Sequence, residues 1–222
     1  MSKWRKRDSR SFKRGKALKD LKPPRVTVLI VCEGSRTEVN YFNALKQDLR
    51  LTNVTVEPST TGTDPLSVVD FAIEKAKDAA KNDKKYDRIY CVFDRDKHDD
   101  SRFNDAINKI RARSSKGFNG VISVPCFEVW ILLHYRYTHM PFEAAAEASN
   151  CALVCRELRN HISDYRKGSA DIYKLIKDKT GDAIKHAKQL DAFHETSETD
   201  NPSTKVHEPV EYLRSIRPSW EK

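Results

Sequence analysis

Long apolar runs are missing from this 222-residue chain. The longest, at 127–133, is interrupted by Glu128 and falls far short of the roughly 20 residues a helix needs to cross a bilayer. No signal-peptide pattern starts at residue 1, so a cytoplasmic protein without a membrane partner is expected. Cysteine is scarce too. The 5 residues follow no framework spacing, which argues for a reducing cytosol rather than a disulfide-stapled secreted domain. Cys151 and Cys155 are spaced i, i+4 with His161 beyond, but a credible fourth ligand is missing and zinc is not expected there. The chain contains no Gly-x-x-x-x-Gly-Lys-Ser/Thr, no Gly-x-Ser-x-Gly and no His-Glu-x-x-His. Those absences exclude a P-loop ATPase, the common serine hydrolases and the zincins.

What is present is charge, unevenly placed. Of 41 Lys and Arg against 32 Asp and Glu, eleven basic and two acidic residues fall within 1–25, so the rest is neutral. The basicity therefore belongs to an arm (residues 1–24), which can hold phosphates by counterion release, with Trp4 and Phe12 available for stacking. Residues 25–140 are expected to form an α/β domain and 141–222 a helical extension packed on it.

The α/β reading comes from buried-strand runs alternating with helical patterns. Val26–Val31 and Ile89–Phe93 are short, apolar and β-branched, as strands covered on both faces require, while Val54–Pro58 reads as a short second strand and Val121–Val124 as a fourth. Ser35 with Glu38 three residues on reads as a capping box opening a helix. Asp64-Pro65 reads as N-cap and first turn of another. Asp100 or Ser101 could cap a third, and Phe127 to Tyr137 has helical character. From 143 to 216 the pattern is helical, from an alanine-rich start through Cys151–His161, Ile172–Lys179, Asp182–Phe193 and Val210–Ile216, without a strand signal.

Acids close three of these strands: Glu33 after the first, Asp94 and Asp96 after the third, Glu128 just beyond the fourth. In open α/β sheets ligands bind outside the carboxyl ends of the strands. Acids gathered there repel one another unless a cation neutralises them, and oxygen donors without paired thiolates or histidines favour Mg²⁺ or Mn²⁺. Gly34, Ser35 and Arg36, at a turn into a helix N-terminus, are candidate phosphate contacts, as are Lys97 and His98.

Four blocks carry a resemblance: Val-Cys-Glu-Gly-Ser-x-Thr-Glu-x-x-Tyr-Phe at 31–42, Val-Phe-Asp-x-Asp-x-His at 92–98, Pro-Cys-Phe-Glu-x-Trp-x-Leu-Leu-His at 125–134 and Asn-Pro-Ser-Thr-x-Val-His at 201–207. Together they resemble the RloB-like family, whose core is a TOPRIM domain similar to the nuclease part of OLD-family proteins. The resemblance implies a four-stranded parallel sheet flanked by helices, and divalent-metal phosphodiester chemistry. It also implies prokaryotic defence against phage or foreign DNA, often beside an AAA- or ABC-type ATPase. By position, Glu33 matches the first-strand glutamate, Asp94 and Asp96 the metal-binding pair, and Glu128 a further acid. Asn201 falls in the last block and is carried as a substrate contact.

The expectation is thus a metal-dependent nuclease acting on nucleic acid, DNA or RNA. Two other readings stay open: a nucleic-acid-binding subunit with little activity of its own, and a phosphoryl-transfer enzyme on a small nucleotide. A homodimer is also left open. His134 is expected to pack in the core beside Trp130, and Tyr165, Arg166 and Lys167 either to line a substrate channel or to lie on the surface.

Overall fold

The structure, a computed structural model, describes residues 26–34, 36–95, 100–144, 149–197 and 199–217. The basic arm, Ser35, Asp96, Lys97, His98 and the alanine-rich start at 145–148 lie outside the described residues.

β1 (Val28–Cys32) is buried at every position and sits inside the sheet, between β2 (Val54–Pro58) and β3 (Arg88–Asp94). β4 (Phe118–Val124) follows β3, and all three neighbouring pairs are parallel. Alternation along the strands divides the core in two. Val28, Ile30, Cys32, Tyr90 and Val92 face one apolar cluster, built with α1 (Thr37–Asp48), α4 (Glu128–Leu132) and the later helices. Leu29, Val31, Ile89, Cys91 and Phe93 face α2 (Pro65–Lys81) and α3 (Asp100–Arg111). Covered on both faces, β1 and β3 are continuous apolar runs rather than alternating ones.

α2 starts as its sequence predicts: the Asp64 carboxylate accepts from the backbone N–H groups of Leu66 and Ser67, with Pro65 next in line. β4 starts three residues earlier than its apolar run suggests, after a left-handed Gly117 whose missing Cβ would stand 2.3 Å from the Asp87 carbonyl oxygen. After residue 140 come α5 (Asn150–Arg159), α6 (Ile172–Ile176), α7 (Thr180–His194) and α8 (His207–Ser215). They share one buried cluster with the sheet, through residues such as Trp130, Leu158, Leu190 and Leu213.

Three expectations need correction. α4 ends at Leu132 instead of running to Tyr137. The helix start is shifted: α1 opens at Thr37 with Arg36 at its N-cap, which makes no side-chain hydrogen bond, and Ser35, expected to cap it, lies outside the described residues. The sheet also has a fifth strand, β5 (Ser203–Thr204), antiparallel to β4 in the stretch expected to be helical. Two residues are too few for a periodic signal. Their pairing is set by β4, where Ser123 Oγ and Thr204 Oγ1 meet at 2.9 Å in the core. Among the described residues no helix is long and apolar enough to cross a membrane.

Candidate active site

The parallel strands deliver their carboxyl ends to one rim, and the rim opens into a cavity of about 460 Å³. Glu33, Glu38, Asp94 and Glu128 line it, with Gly34, Arg36, Ser59 and Lys167. Three acids expected from sequence thus meet in space, although 95 residues separate the first from the last. Asp96, two positions beyond Asp94, is outside the described residues.

Each carboxylate is held differently. Glu33 follows β1, and its Oε2 accepts the Asp94 backbone N–H at 3.0 Å, so the first acid is aimed at the end of β3. Asp94 is the last residue of β3. Glu128 opens α4 and is buried, its Oε1 accepting from the Tyr165 hydroxyl at 2.9 Å and its Oε2 lying 3.4 Å from Lys167 Nζ. The turn bearing Lys167 docks on the start of α1: the Gly168 N–H donates to Thr37 Oγ1 and Asn40 Nδ2 donates to the Gly168 carbonyl. Gly168 is left-handed, and a Cβ there would stand 3.0 Å from Arg36.

Glu38 is the acid that reading along the chain assigned to a cap. It is buried in the first turn of α1, and its carboxylate lies where a Gly34 Cβ would be, 2.2 Å from that position. Gly34 therefore serves the close approach of Glu38 at least as much as the turn. The signal was the spacing itself: Glu38 is five residues from Glu33, on a helix that begins at the same rim.

Crowding and burial raise the proton affinity of Glu33, Glu38 and Asp94. Burial, then the charge of Asp64, lifts Glu33 from 4.5 to about 7, against the lowering effect of the Asp94 N–H. Burial also lifts Glu38 to about 7, with Glu128 and Glu33 adding to it. Asp94 is pushed well above the usual carboxylate range by burial and then by Glu38, Glu128 and Glu33. For Lys167, burial favours loss of the proton, but Glu128, Cys155 and Asp94 together outweigh it and the ammonium is kept.

Cys126 and Cys151 form a disulfide beside this cavity, with Cα atoms 5.6 Å apart, a pairing not expected from their spacing. Cys151 Sγ touches Glu128 Oε2 at 3.4 Å; as a disulfide sulfur it carries no proton to donate. The three residues cluster within 4.8 Å, yet while the sulfurs are bonded only Glu128 can serve as a ligand. Asn201 is engaged elsewhere, its side chain clamping both backbone groups of Phe142. His134 packs in the core against Trp130, its Nδ1 on the Trp130 carbonyl.

The model of the RloB-like protein family matches residues 28–213. The chain belongs to the RloB-like family. The matched span runs from the first residue of β1 into α8 and so contains every acid of the cavity. No curated protein and no solved structure matches the chain.

Proposed function

We propose that this RloB-like protein is a divalent-metal-dependent nuclease of TOPRIM type, hydrolysing nucleic-acid phosphodiesters in prokaryotic defence, with an ATPase as the partner its family resemblance implies. The observation that carries the reading is the convergence of Glu33, Glu38, Asp94 and Glu128 on one cavity. Four carboxylates gathered at the strand ends are unfavourable without a cation. Their donor set is all oxygen, with no imidazole among the described residues that line the cavity, and suits Mg²⁺ or Mn²⁺. Asp94, Glu33, Glu38 and Glu128 would hold the ion, and Asp96 follows Asp94 closely enough in sequence to join them.

When bound, a divalent ion supplies charge neutralisation at the phosphate and at the departing oxygen. The chain's own groups do the rest. Glu33, with a proton affinity near neutrality, is suited to take a proton from the attacking water or return one to the leaving oxygen. The Asp94 N–H fixes its orientation. Arg36 and Lys167 line the cavity as phosphate partners, and Tyr165 holds Glu128 in place.

The cavity's volume of about 460 Å³ also favours a second reading, phosphoryl transfer on a mononucleotide. One experiment tests both. Wild type, Asp94→Ala and Glu33→Gln are incubated with plasmid, single-stranded DNA, total RNA and cyclic nucleotides, in Mg²⁺, Mn²⁺ or chelator. Polynucleotide products that need metal and vanish in both variants are expected. Turnover of the cyclic nucleotides alone would transfer the site to the second reading, and identical patterns from all three proteins would remove both.

A further inference from the structure

A second cavity, of about 590 Å³, is larger than the acid one. It lies between α3, β4, β5 and α7, and the two cavities meet at the end of β3: Asp94 lines the first and Arg95 the second. Successive residues of an extended segment point to opposite faces, so one strand end serves both.

Its lining has a defined chemistry. The Arg95 guanidinium lies over the Phe103 ring, 5.1 Å from its centroid, and is held there by Asp200. Phe103 is propped edge-on against the buried Phe93 ring, at 6.0 Å. The result is a fixed platform of a flat cation on an aromatic face. Beside it Asn104 and Asn108, one turn apart on α3, line the same cavity with their carboxamides exposed. Among the described residues neither side chain makes a hydrogen bond, and Arg111, next on that helical face, makes no ion pair. Each carboxamide offers both a donor and an acceptor.

We propose that this cavity binds an unpaired nucleobase of the nucleic acid whose phosphate enters the acid cavity. Flat π-faces stack on aromatic and guanidinium planes, while asparagine amides can pair with a base edge. Both need the base out of its stack, so the substrate is single-stranded or locally melted around the cut rather than an intact duplex. Arg111 lies one step further along α3, suited to the following phosphate. The inference rests on the nuclease reading and specifies its substrate.

The test is a binding measurement in chelator, where no metal-dependent cleavage can occur. Fluorescein-labelled single strands are titrated as a series, each carrying one abasic position, against wild type and Asn104→Ala/Asn108→Ala. Backbone affinity from the basic arm is common to every strand and cancels in the ratio of abasic to parent. Wild type should lose about 10-fold at one position. The double variant should bind the parent strand correspondingly more weakly and lose that position-specific penalty. Both substituted side chains are exposed, and a melting scan checks that the variant is folded. A flat abasic profile in wild type, or the same penalty in the double variant, would overturn the proposal. Those outcomes do not depend on catalysis, so they differ from a failure of the nuclease reading, in which no metal-dependent product forms.

Discussion

Two cavities flank the end of β3, and the larger is not the one whose charges are out of balance. Four carboxylates line the smaller against Arg36 and Lys167. In the larger, Asp191, Glu195 and Asp200 are matched by Arg95, Arg111 and Lys205, with Asp200 held by Arg95 and Asp191 by Lys205 at 2.8 Å. A balanced lining suits a neutral, hydrogen-bonding ligand. An acidic lining under burial is stable only with protons or a cation in it. Volume therefore says little about which cavity holds the chemistry, and charge says a great deal.

The sharpest way to break this contrast is Asp94→Asn, which keeps the shape and deletes one charge. Metal-dependent cleavage should fall by about 10³-fold, the loss of several kcal/mol of transition-state stabilisation. The same variant should melt higher than wild type at pH 8 in chelator, because a buried like charge is gone. A rate loss without that gain would leave Asp94 catalytic but would refute the idea that the cavity is strained by its own acids.

That contrast could be read only in part along the chain. Strands and α2 were legible because their signals are local: apolar runs, and Asp64-Pro65 at a helix start. The strand-end acids were legible because parallel topology sends every carboxyl end to one rim. Glu38 was hidden by a local pattern that explained it too well, since Ser35-x-x-Glu38 has the form of a cap, whereas α1 has Arg36 at its N-cap and Glu38 lines the cavity. Lys167 reaches the acids from a turn 39 residues beyond Glu128, through docking at Thr37 and Asn40 that no spacing foretells. The larger cavity depends on β5, whose two residues find their place by pairing with β4 and packing against α4 and α7.

Next in size is the covalent brace. The Cys126–Cys151 disulfide ties the start of α4 to α5 across 25 residues of chain, close to Glu128, whereas no disulfide borders the larger cavity. Closing a loop of this length contributes about 2–4 kcal/mol. Denaturant unfolding with dithiothreitol should give a stability lower by that amount than without it, and Cys126→Ser/Cys151→Ser should behave like the reduced wild type. An unchanged unfolding midpoint on reduction would mean that the two sulfurs contribute only their packing.

The smallest expected effect tests the strain most directly. Glu33 and Glu38 have folded values of about 7 against 4.5 for the ordinary carboxyl. A raised folded value means the native state holds its protons more tightly than the unfolded chain. The stability this confers is complete below about pH 4.5 and is lost as pH rises through 7, with Asp94 pushing in the same direction. Metal-free protein should therefore melt lower at pH 8 than at pH 5.5 wherever these groups dominate the slope. A divalent ion must displace the same protons, so its affinity grows over that window. Millimolar Mn²⁺ at ten times its dissociation constant would contribute about 1.4 kcal/mol, a few degrees in melting temperature for a chain of this size. That rise should be seen at pH 8 and be nearly absent at pH 5.5, and Glu33→Gln/Glu38→Gln should flatten both trends. Equal Mn²⁺ shifts at the two pH values would place the ion somewhere other than among these carboxylates, and the distinction between the two cavities would lose its physical basis.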